Sequence, residues 1–180
     1  MSDKRQILVD TALDLFYKHG INSIGINEIL KVSGVAKKTL YNHFEGKEAL
    51  VLAALKQRNL IFVTWLEYKL EGAKSNPELV VRLFNALTDW FANRATELGD
   101  FRGCFFINTS AEFSNPVSEV SAYCRDHKQQ VRSLISQYMP SPDEELLDAI
   151  CILKEGAITT AYVSNDYSMA KKCIAILHKL

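Results

Sequence analysis

The sequence predicts an all-α protein of about nine helices, with three short helices in fewer than 50 residues and a larger helical region after them. Three observations lead there. Apolar residues recur three and four positions apart along most of the 180 residues, the repeat that lines one face of a helix. No run of period-2 alternation is flanked by hairpin signals; Phe105-Phe106-Ile107 alone reads as a short strand in isolation. Glycine and proline are also unevenly placed. Gly20, Gly25, Gly34 and Gly46 punctuate the first 46 residues, and all four prolines lie at or beyond Pro77.

The elements follow in chain order. Leu8, Ala12, Leu15, Phe16 and His19 share a helical face that stops at Gly20, a residue suited to a left-handed C-terminal position. Ile26, Ile29 and Leu30 form a second stripe ending at Ser33-Gly34, and Ala36, Leu40 and Phe44 a third ending before Gly46. From Lys47 a long amphipathic stretch runs without proline or glycine to about Leu70, most economically one helix. Asn76-Pro77, Asn115-Pro116 and Ser141-Pro142 each place proline after a capping residue and should each open a helix, the third with a capping box Ser141-x-x-Glu144. A last helix is expected after Asn165-Asp166, carrying Cys173, Ile174, Ile176, Leu177 and Leu180.

Composition excludes several classes. At 48% hydrophobic and 23% charged, the chain matches an ordinary globular protein, not a disordered or fibrous one. The four cysteines are 20, 27 and 22 residues apart with no C-x-x-C pair and no histidine at metal-ligand spacing, so they read as reduced thiols and no metal site is expected. The start MSDKRQILVD lacks an apolar signal core, and the run Leu60–Leu66 is far too short for a membrane span. A cytoplasmic protein with no membrane partner is the expectation.

A net charge of zero argues at first against nucleic acid, but the charges are not evenly spread. Residues 31–47 hold four lysines against one glutamate, a local +3 balanced by −3 elsewhere. Two short helices joined at Ser33-Gly34-Val35 form a helix-turn-helix pattern, whose second helix can enter the major groove of DNA. On that helix Lys37, Lys38, Tyr41 and Asn42 lie opposite Leu40 and Phe44, with Thr39 flanking, and no carboxylate interrupts the face. Lysine can contact phosphate or guanine, asparagine can read adenine, threonine can approach a thymine methyl, and the tyrosine hydroxyl can donate to phosphate. Lys47, opening the next helix, adds charge where free backbone N–H groups already favour phosphate. The competing readings are an all-helical small-molecule sensor or interaction protein that binds no DNA, and a small helical enzyme.

The stretch Gly34-Val35-Ala36-Lys37-Lys38-Thr39-Leu40-Tyr41-Asn42-His43-Phe44-Glu45-Gly46-Lys47-Glu48-Ala49-Leu50 resembles the recognition helix and following turn of the TetR family of transcriptional regulators. Ala12, Phe16, Gly20, Ile26 and Ile29 fall where that family has its first two helices. The resemblance implies an N-terminal three-helix DNA-binding domain over residues 1–46 and a helical ligand-sensing and dimerisation domain over 47–180. It also implies a homodimer that binds a double-stranded DNA operator and answers to a small-molecule effector, most often as a repressor. Lys37, Lys38, Thr39, Tyr41, Asn42 and His43 would meet DNA, with Lys47 on a phosphate. Gly25 departs from the pattern, since the family usually has Thr or Ser there to cap the second helix.

The larger region contains no nucleotide, hydrolase or zincin motif, so neither enzymatic activity nor a cofactor is expected. Its aromatic residues, Trp65, Trp90, Phe105 and Tyr123 among them, would suit an apolar pocket with a few polar groups. The segment Arg102-Gly103-Cys104 to Glu112-Phe113 resembles the cavity-lining stretch of one branch of TetR regulators. Cys104, Asn108 and Glu112 would share a helical face, and Cys104 beside Arg102 at a helix start is a candidate switch for electrophiles or oxidants. Leu146, Leu147, Ile150, Ile158, Ala161, Ile174 and Leu177, with the small Ala157 and Thr160, are the expected dimer surface.

Overall fold

The computed structural model describes residues 4–113 and 115–179. Among them there are nine α-helices and no strand: α1 Lys4–His19, α2 Ile26–Ser33, α3 Lys37–His43, α4 Lys47–Leu70, α5 Asn76–Phe91, α6 Phe105–Glu112, α7 Glu119–Tyr138, α8 Glu144–Ser164 and α9 Met169–Leu177, plus a 3-10 turn at Thr96–Leu98. Phe105-Phe106-Ile107, expected as a strand in isolation, instead forms the first turn of α6. Period cannot distinguish a short apolar run in a helix from one in a strand.

Two compact units arise from the contacts. The first comprises the described residues through Leu60 together with Phe105–His127. Its core is Leu8, Ala12 and Phe16 from α1, Ile29 from α2, Leu40 from α3, Leu50 and Leu55 from α4, and Phe105 and Phe106 from α6, all nearly or wholly buried. Gly20 ends α1 with φ +82°, and Gly34 ends α2 with φ +66°. Both lie in the left-handed region where an added Cβ is strained. This unit extends past the sequence boundary at residue 46.

The second unit comprises Ile61–Cys104 and the residues from Lys128 onward. Here α5 packs on α8 and α9, burying Leu79, Leu83, Phe84, Leu87, Ile150, Ile158, Ala161 and Cys173. α5 begins at its proline pair, at Asn76, whereas α7 and α8 begin beyond theirs. Ser75 caps α5 by accepting from the Glu78 N–H, while the Asn76 side chain donates to the Ser141 carbonyl. Asp143 caps α8 by accepting from the Leu146 N–H, so the capping box from Ser141 is not made. In α7 the Ser118 hydroxyl accepts from the Ser121 N–H, three residues beyond the expected Asn115. For α7 and α8 a hydrogen-bonding side chain closer to the first turn takes the cap, and for α5 the residue before Asn76 does. Leu180 lies outside the described residues.

By length and apolar composition, α4 is the one helix among the described residues that meets the requirement for a membrane span. It is a core helix, with Leu50, Val51, Ala54, Leu55, Phe62, Trp65, Leu66 and Leu70 buried in the protein.

Candidate functional site

The short turn Gly34–Ala36 joins α2 to α3, and burial of Leu40 and Phe44 fixes which side of α3 faces out. Lys37, Lys38, Tyr41, Asn42 and His43 are all exposed and Thr39 is half-buried. The residues singled out on α3 therefore form one outward surface of two ammonium groups, an amide, a hydroxyl and an imidazole. Ala36, expected in the apolar stripe, sits exposed at the N-cap instead. Neither Gly25 before α2 nor Ala36 before α3 provides a side-chain cap.

Lys47 behaves differently from the α3 lysines. Its Nζ turns inward and donates to the Ile21 carbonyl at 2.5 Å, over the Phe16 ring. Burial lowers its pKa, opposed by the nearby Glu112 carboxylate. Its ammonium is thus committed to the α1–α2 turn, leaving its backbone N–H at the start of α4 as the group it can offer a phosphate.

The expected ligand residues divide between the units. In the first, Glu112 accepts from the Ile21 and Asn22 N–H groups, and Tyr123 is hydrogen-bonded to Asn59, its pKa raised mainly by burial. Phe105 is buried with its ring edge-on to Tyr17, and Asn108 is half-buried. Asn59 also meets Nδ1 of His127, which is buried and stacked on Phe106 at 3.4 Å. In the second unit Trp65 and Trp90 are buried with centroids 6.3 Å apart, in a cluster with Phe62 and Phe101. None of the seven lines the clefts of about 450 Å³ beside Pro77, Leu146 and His178 or about 470 Å³ beside Glu48, Leu52 and Glu119.

Cys104, buried just before α6, has a cationic neighbour that the sequence did not suggest. Lys128 approaches its sulfur, with Nζ donating to Cys104 Sγ at 3.3 Å and to Glu155 at 2.8 Å. Buried Lys154 bonds the other Glu155 oxygen. Burial opposes charge on Lys128, but the Cys104 sulfur and Glu155 carboxylate outweigh it and raise its pKa. For Glu155 burial is likewise outweighed, by Lys154 and then Lys128, and its pKa falls. Lys128 lies 24 residues from Cys104 and Glu155 another 27 on, and no local pattern signals such a pairing.

Residues 8–54, which span the helix-turn-helix, match the model of the bacterial regulatory proteins of the tetR family. In this segment the chain is similar to the TetR family. Over 159 residues it is 28% identical to an uncharacterized HTH-type transcriptional regulator of Bacillus subtilis, YuxN, covering 87% of this chain and 53% of that protein. It is 24% identical to the HTH-type transcriptional repressor NemR of Escherichia coli over 149 residues, 83% of this chain and 73% of that one. The chain thus spans about half the length of the first relative and about three-quarters of the second. The fold as a whole is that of SCO4454, a TetR-family regulator from Streptomyces coelicolor, with TM-score 0.85 at 24% identity over 99% of this chain and 94% of that one.

Proposed function

We propose that this chain is a ligand-responsive DNA-binding transcriptional regulator, a homodimeric repressor released from its operator by a small-molecule or electrophile signal. The observation that carries the reading is the donor-rich outer face of α3, free of carboxylates from Lys37 to His43, inside the segment matched to the family. In this division residues 1–46 read DNA, while 47–180 sense the effector and dimerise. Release requires only that the effector bind the DNA-free state more tightly than the DNA-bound one. A DNA partner and four free cysteines fit the cytoplasm, and relatives named as regulators speak for binding rather than catalysis.

The dimer surface suggested by the sequence needs revision. Leu147, Ile150, Ile158, Ala161 and Leu177 are buried within the second unit. Among the apolar residues that α8 and α9 leave exposed are Ile152, Tyr162, Val163 and Ile176, with exposed Gly156 and Thr159 on the same face of α8 as Ile152 and Val163. Small residues there permit close approach of a second helix, so this is the face we assign to dimerisation.

For the electrophile signal the Cys104–Lys128–Glu155 cluster is the candidate sensor. An activated alkene would form a C–S bond at Cys104, the thiol proton ending on the other former alkene carbon. The deciding experiment for the function is selection of fragments of the source genome on the purified protein, followed by gel shift. Recovery of a discrete retarded site is expected, and failure to retain any duplex would refute the reading.

A further inference from the structure

We propose that Glu112 is a positioning residue for DNA recognition: from the end of α6 its carboxylate holds the α1–α2 turn and so sets the placement of the helix-turn-helix. The proposal rests on reading the first unit as DNA-binding and adds a route by which α6 controls it.

The contacts use both carboxylate oxygens. Oε1 accepts from the Ile21 N–H at 2.9 Å and Oε2 from the Asn22 N–H at 2.6 Å, across 91 and 90 residues of sequence. Gly20 makes the approach possible twice over. Its φ of +82° turns the chain out of α1, and a Cβ there would lie 3.3 Å from Oε1. The other side of the same peptide segment is held by Lys47, whose ammonium takes the Ile21 carbonyl and is attracted to Glu112. The Ile21 side chain is itself 1% exposed. N–H, C=O and side chain of one turn residue are therefore all fixed.

Helix stability does not explain this carboxylate. Glu112 is the last residue of α6, where the negative end of the helix disfavours an anion. The two turn amides and the attraction of Lys47 offset that cost and reward a glutamate here. Neither α2 nor α3 has a side-chain cap, so beside the burial of Ile29, Leu40 and Phe44 the grip on the chain four residues before α2 helps set the pair's placement.

The test uses the full-length chain and the operator fragment selected on the wild type. Glu112→Ala should speed amide exchange at Ile21 and Asn22 by roughly tenfold, the loss of a charge-assisted bond, and weaken operator binding by a similar factor. The dependence of binding on salt should not change, because no phosphate contact is removed. Glu112→Gln, which keeps a carbonyl acceptor, should recover part of the affinity. If Glu112→Ala does not fold, Glu112→Asp, whose shorter side chain draws the carboxylate back from the two amides, must reproduce the loss. A folded variant with faster exchange and unchanged operator affinity would make the contact merely structural and overturn the proposal. Absence of DNA binding by the wild type would instead refute the function on which it rests.

Discussion

Removal of the two lysines at the start of α3 tests where the phosphate contacts lie. Lys37 and Lys38 are exposed, and among the described residues neither is held in an ion pair, whereas Lys31 lies 3.9 Å from Glu28. Each phosphate neutralised adds about 0.9 to the slope of log binding constant against log salt, so Lys37→Ala with Lys38→Ala should flatten the slope by about 1.8. Between about 50 and about 200 mM salt, a fourfold change, that difference amounts to roughly twelvefold less loss of affinity than in the wild type. Fluorescence anisotropy of a labelled duplex over a salt series reads it directly. Lys47→Ala provides the contrast. With its ammonium bonded to the Ile21 carbonyl, its removal should lower affinity through the turn and leave the slope unaltered. A slope lowered by about one unit in Lys47→Ala, or a wild-type slope in the double variant, would show that the assignment is reversed.

Other consequences follow from the second unit. N-ethylmaleimide should label Cys104 in the native protein, and Lys128→Met should slow that labelling by roughly tenfold as the ammonium is lost; an unlabelled Cys104 on mass spectrometry would end its candidacy as sensor. Replacing both Ile152 and Val163 by Glu should turn the dimer into a monomer at micromolar concentration by light scattering, and a wild-type monomer would contradict the assembly. Glu155, held below the usual carboxylate range, contributes stability above its ordinary value of 4.5 that is lost as the pH falls through the lower folded value. The urea midpoint should therefore drop on acidification, and Glu155→Gln should make that drop shallower; an identical acid profile in the variant would show that the pair contributes nothing.

Local rules reached a long way in the first 50 residues. Gly20 and Gly34 take the left-handed conformation, Leu40 and Phe44 are buried, and α4 runs over the expected Lys47–Leu70. Helix period, glycine punctuation and a charge imbalance are properties of neighbouring residues, and they suffice to orient a recognition helix. They fail where neighbours compete, as at the starts of α5, α7 and α8, where Ser75, Ser118 and Asp143 cap in place of the residue before proline.

The sequence by itself determined that this protein is all helical, that its positive charge is gathered on residues 31–47, and which side chains of α3 face outward. All three follow from spacings of a few residues. Only the tertiary structure decided the fate of the long-range charges. Lys47, read as a phosphate ligand, grips Ile21; Glu112, read as a ligand residue, takes two amides of the α1–α2 turn; and Cys104 acquires Lys128. A charge 24 to 91 residues from its partner leaves no periodic trace along the chain, because the pairing exists only after packing has removed water from between them.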